Sequence, residues 1–70
     1  MSVAECLEVY GLRLCVGDRV QVYIKSRSLV RVAGRVSEIK PTGLILETDD
    51  AWVTIRYTDI KMIVKPKNTV

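Results

Sequence analysis

Val16-Gly17-Asp18-Arg19-Val20-Gln21-Val22-Tyr23-Ile24-Lys25 opens the part of the chain whose pattern decides the fold. Val20, Val22 and Ile24 alternate with Arg19, Gln21, Tyr23 and Lys25. A period of two buries one face of a β-strand and leaves the other wet, which predicts a strand over about 16–25. Lys25-Ser26-Arg27-Ser28 reads as a polar turn, and Val30, Val32, Gly34 and Val36 then alternate with Arg31, Ala33 and Arg35. A second strand over about 29–39 therefore pairs back on the first. Gly34 falls on its inward side, where a missing side chain lets the sheet bend sharply or another backbone come close.

The same logic continues outward. Lys40-Pro41-Thr42-Gly43 is a turn by composition, since proline pre-sets φ and glycine accepts positive φ. Strands are predicted over about 43–48, 52–57 and 60–64, separated by the turn Thr48-Asp49-Asp50-Ala51. Residues 65–70 show no buried pattern and read as a mobile tail. Upstream, Ser2-Val3-Ala4-Glu5 has the form of a capping box. It predicts a short helix over about 3–9, with Leu7 and Val3 or Ala4 facing inward and Gly11 as its left-handed cap. The expected architecture is mainly β: a short N-terminal helix, then a five-stranded, strongly bent antiparallel barrel in one domain.

Composition limits what such a domain does. The chain has 70 residues, 49% hydrophobic, with a net charge of +3 and a mean hydropathy of +0.18, too apolar for disorder. A core this small needs a staple or a partner. No stretch has the length of a membrane span or the form of a secretion signal, so a cytoplasmic protein with no membrane role is expected. With no His, and with Cys6 and Cys15 at a spacing that fits no metal or redox motif, the chain offers no metal centre and no cofactor site, and reads as a non-enzyme. The two thiols are capable of one disulfide, but without export they are expected as small buried hydrophobes. A single Asn and a single Gln hint at a thermophilic source.

Charge is distributed unevenly. Residues 13–40 carry Arg13, Arg19, Lys25, Arg27, Arg31, Arg35 and Lys40 against Asp18 and Glu38, whereas residues 41–60 carry Glu47, Asp49, Asp50 and Asp59 against Arg56. Arg19, Lys25, Arg27, Arg31 and Arg35 lie on the outward parity of the first two strands or in their turn, a stripe suited to phosphates. A solvated surface whose cations pair with Asp49, Asp50 or Asp59 is the alternative. Trp52 has the parity opposite to Val53 and Ile55 and is expected at a subunit interface.

Val53-Thr54-Ile55-Arg56-Tyr57-Thr58-Asp59-Ile60-Lys61-Met62-Ile63 resembles the second motif of the Sm-like family of RNA-binding barrels, with Tyr57 in place of its glycine. Gly17, Val20, Val22, Gly34 and the run from Ile39 to Leu46 resemble the first motif more loosely, so the resemblance covers about 3–66. It implies an Sm-like (SH3-like) barrel that assembles into a homo-oligomeric ring. The fifth strand of one subunit would pair with the fourth of the next through Trp52, Ile60, Met62 and Val64, the last strand being left open for a sister chain. It also implies single-stranded RNA as partner, in RNA processing or as a chaperone or scaffold, with Arg56 in the loop lining the pore. The family's base-reading aspartate and asparagine are Lys40 and Leu44 here. Tyr57 would stack on a base or, by its parity with Val53 and Ile55, join the core. The expected nucleic-acid contacts are Arg56, Tyr57, Lys25, Arg27, Arg31, Arg35 and Lys40. The start of the first strand is also similar to KOW and Tudor-type barrels, and Gly34 with residues 60–66 to the C-terminal domain of the ribosome-maturation protein RimP. A protein-docking module using Trp52 and Tyr23, or a duplex-DNA-binding regulator, are the alternatives.

Overall fold

The computed structural model of the protein describes residues 5–26, 28 and 30–67. Its first element corrects the expected helix: Cys6–Val9 is a strand, β1, paired antiparallel with β2 (Leu12–Cys15), while residues 3 and 4 lie outside the described residues. Val9 faces Leu12, so Tyr10 and Gly11 form a two-residue loop, both at positive φ (52° and 76°). Paired positive φ is what the right-handed twist of a hairpin demands of its turn. Gly11 is thus left-handed, as a turn residue rather than a helix cap. The capping pattern at 2–5 is a local signal worth little across two turns of helix. The period-two runs on either side of Tyr10-Gly11 lead into a sheet instead, and Cys6 and Cys15, directly opposed, are joined by a disulfide, which corrects the small buried hydrophobes expected of them.

The main sheet comprises β3 (Arg19–Ile24), β4 (Val30–Ile39), β5 (Gly43–Glu47), β6 (Trp52–Arg56) and β7 (Ile60–Val64), with a 3-10 turn at Tyr57–Asp59. Its order is β6-β5-β4-β3-β7 and every pairing is antiparallel. The expected five-stranded barrel is corrected in two respects. The sheet is not closed, since β6 and β7 form its margins and no ladder joins them among the described residues. β7 is mated along one side with β3 of its own chain, so only its other side is left for a partner.

A second layer does what closure would have done. The buried core comprises Leu14, Val20, Val22, Val36, Leu44, Leu46, Ile55 and Ile60, and Leu7, Val9 and Leu12 of the hairpin pack against it. Leu14 of β2 has no exposed surface. Hairpin and sheet are locked together at Asp18. Its carboxylate accepts the Cys15 N–H (2.8 Å) and pairs with Lys65 (3.0 Å), and its carbonyl accepts the Val36 N–H (2.8 Å). Lys65 also donates to the Arg13 carbonyl (2.9 Å), which ties down the first residue of the expected mobile tail; residues 68–70 lie outside the described residues. Tyr10 clasps the other end of β7, its hydroxyl donating to the Ile60 carbonyl (3.0 Å).

The hydrogen bond from Cys15, aided by Lys65 and opposed by burial, holds the Asp18 carboxyl below its ordinary value of 3.8. A depressed carboxylate contributes stability that is fully present above the unfolded-state value and is lost as pH falls through the lower folded value. Asp18→Asn is therefore expected to melt below wild type at pH 6. Thermal melts should show that gap closing once the wild-type carboxyl is protonated, and a gap of constant size would contradict the junction.

Two glycines permit the bending of the sheet. A Cβ on Gly34 would lie 2.6 Å from the Glu47 carbonyl oxygen, so the end of β5 crosses where a side chain would stand. A Cβ on Gly43 would collide with the Ile55 carbonyl oxygen. Gly43 serves this close approach; it is not among the positive-φ glycines, which corrects the turn role expected for it.

Candidate nucleic-acid interface

Residues directly opposite in an antiparallel pair share a face, so register places the charges. Arg19 lies opposite Arg35, Gln21 opposite Ala33 and Tyr23 opposite Arg31. Across β7, Tyr23 meets Met62 and Gln21 meets Val64. Across β5 and β6, Arg35 meets Glu47, which meets Trp52. The face turned away from the core therefore carries three exposed guanidinium groups, flanked by Tyr23 and Met62 at one end and Trp52 at one margin. Arg19, Arg31 and Arg35 make no ion pair among the described residues; the pairs formed are Lys40–Glu38, Arg56–Asp59 and Lys65–Asp18.

The expected contacts divide into two groups. Arg31 and Arg35 lie on the basic face, with Lys25 exposed just beyond β3, its N–H donating to the Asp59 carbonyl (2.8 Å). Arg27 lies outside the described residues. Lys40, Arg56 and Tyr57 gather instead where the β4–β5 turn meets the end of β6. Tyr57 donates its hydroxyl to the Lys40 carbonyl (2.7 Å) and its N–H to the Thr42 carbonyl (3.1 Å). Its ring is half-buried against the core, and burial raises its pKa. Lys40 and Arg56 are neutralised by Glu38 (3.0 Å) and Asp59 (3.1 Å), although the Arg56 side chain stays exposed.

The expected interface residues divide as well. Trp52 is 72% and Met62 47% exposed, one on each marginal strand. Ile60 is fully buried in its own core and Val64 is half-buried, so the Ile60 side chain is unavailable to a second chain. Sequence reasoning missed Asp18 as a junction and the opposition of Arg19 to Arg35; it did offer Asp49 and Asp50 as neighbours of the basic stripe, and they share a cleft with Arg19 and Arg35 without an ion pair. Periodicity carried no signal for the two missed features, because both depend on pairing between strands.

A small two-sheet β domain, made of an open bent sheet capped by a disulfide-closed hairpin and bearing three exposed arginines on its outward face, is the class this arrangement defines. No family model matches the chain, and neither the curated proteins nor the solved structures compared with it gave a match. No helix among the described residues is long and apolar enough to cross a membrane.

Proposed function

We propose that the protein binds single-stranded RNA through the outward face of β3 and β4. The observation that carries this is the direct opposition of Arg19 and Arg35, with Arg31 two positions from Ala33 on the same face and no ion pair to any of the three among the described residues. Like charges directly opposed across strands destabilise a sheet, and an anion bridging them reverses that cost. Tyr23 beside Arg31 adds an aromatic edge of the kind that bases stack on. The resemblance of residues 53–63 to an RNA-binding motif supports the same ligand. A cytoplasmic location belongs to the same proposal. In that compartment the Cys6–Cys15 bond would require a disulfide-tolerant cytosol.

Self-association belongs to this reading. β6 and β7 each leave one margin without a ladder partner among the described residues, and each carries an exposed large apolar side chain, Trp52 and Met62. Further copies would multiply weak phosphate contacts.

The test is fluorescence anisotropy on labelled oligouridine across salt concentrations. Each phosphate neutralised on a single strand adds roughly 0.7 to the slope of log affinity against log salt. Arg31→Ala with Arg35→Ala is expected to lower that slope by about 1.4, whereas Arg56→Ala, already paired with Asp59, leaves it unchanged. Affinity insensitive to salt, or equal in the double variant, would overturn the reading. Native mass spectrometry of the same samples counts subunits, and a single copy at every concentration would remove the self-association.

A further inference from the structure

A cleft of about 840 Å³ lies between the β3–β4 pair and the β5–β6 turn, within the range of small-molecule sites. Its lining brings Arg19, Gln21 and Arg35 of the β3–β4 pair together with Glu47 of β5 and Asp49 and Asp50 of the turn. Gly34 lines it too, and the close approach of Glu47 to it sets the turn where it is. Both signs of charge thus line one cleft, and no ion pair joins them among the described residues.

The two carboxylates of the turn are not equivalent. Asp50 accepts the Thr48 hydroxyl at 3.2 Å, inside the hydrogen-bonded turn that Thr48 makes with Ala51. Asp49 has neither a hydrogen bond nor an ion pair among the described residues. The cleft therefore offers two guanidinium groups suited to a phosphate and two carboxylates with full acceptor capacity: Glu47, held opposite Arg35 in the β4–β5 ladder, and Asp49, which stands apart on the turn. A second phosphate in place of a base would be repelled by the carboxylates, so a ligand that fills the cleft must bring both an anion and hydrogen-bond donors.

Resting on the RNA reading above, we propose that the cleft takes one nucleotide of the bound strand, its phosphate at Arg19 and Arg35 and a guanine base at Asp49. Among the four RNA bases, guanine alone presents two adjacent donors, N1–H and the exocyclic amine, to the two oxygens of one carboxylate. Adenine and cytosine set an acceptor nitrogen beside their amine, and uracil flanks its single N–H with carbonyls. A carboxylate there selects for guanine and against the rest by leaving an acceptor facing an acceptor.

The experiment compares labelled UUGUU, UUAUU and UUUUU in anisotropy titrations at one salt concentration. UUGUU is expected to bind about tenfold tighter than the other two, the discrimination typical of one bidentate base contact. Asp49→Ala should abolish the preference without weakening UUUUU, and Arg19→Ala with Arg35→Ala should weaken all three. Equal binding of the three RNAs, or a guanine preference that survives Asp49→Ala, would overturn the guanine assignment while leaving RNA binding in place. Failure of all three to bind at low salt would instead overturn the RNA reading itself, and the assignment with it.

Discussion

Replacing Cys6 and Cys15 together by serine is expected to lower the melting temperature by roughly 10–20 °C, the shift that about 2–3 kcal/mol produces in a domain of this size. The disulfide closes a loop with a sequence separation of 9, and in the chain-entropy account a short loop of that kind removes unfolded-state freedom worth a little under 3 kcal/mol. The hairpin it closes is not peripheral. It supplies Leu14 to the core and holds both ends of β7, through Tyr10 on Ile60 and through the Lys65–Arg13 contact. Two strands alone are marginal in water, so weakening the hairpin uncovers the core that an unclosed sheet leaves open. Differential scanning calorimetry of the oxidised protein, the dithiol-reduced protein and the double variant measures this. Equal melting temperatures for all three would show that packing alone holds the hairpin.

Gly43→Ala and Gly34→Ala should cost still more. At both positions the added methyl meets backbone, the Ile55 carbonyl for one and the Glu47 carbonyl for the other, and a carbonyl within a ladder cannot swing aside as a side-chain tip does. The strand pair must separate, at a cost at or above the upper end of the 1–3 kcal/mol usual for overpacking, about 3 kcal/mol or more. A chain of this length has roughly 4–10 kcal/mol in total, so much of each sample should unfold at modest urea. Gly11→Ala is the control. No atom lies within 4 Å of the added Cβ, and its cost is confined to the positive φ of 76°, about 1–2 kcal/mol. Urea midpoints should rank Gly11→Ala well above the other two variants. A Gly43→Ala protein as stable as Gly11→Ala would contradict the close packing of β5 on β6.

These substitutions also show where the sequence is legible. Alternation of apolar and polar residues placed strands over about 16–25, 29–39, 43–48, 52–57 and 60–64, and the structure has β3 to β7 at Arg19–Ile24, Val30–Ile39, Gly43–Glu47, Trp52–Arg56 and Ile60–Val64. Period-two burial is a property of a strand and its immediate solvent, so it is visible locally. Gly34 was legible for the same reason, as a residue without a side chain on the inward parity. Residues 6–9 were misread as helix because the capping box just before them is a local signal, whereas their pairing with residues 12–15 is not. The outcome there turned on Cys6 meeting Cys15 and on Leu14 reaching the core, contacts between residues the local pattern does not connect. Tyr57 and Arg56 were adjacent in the motif but divided by the fold, one ring packed inward and one guanidinium turned to Asp59.

By itself, then, the sequence determined that this chain is built of short strands, where most of them run, which side of each is wet, and that its basic residues outnumber its acids on the first pair. Tertiary structure alone decided that the sheet stays open, that a cross-linked hairpin covers the core, that Arg19 stands against Arg35, and that one cleft is lined by both arginines and by Asp49. The division has a physical cause. The alternation of a strand follows from the two-residue repeat of its own backbone, whereas register follows from which residue of another strand lies opposite, and that is settled only when the whole core packs.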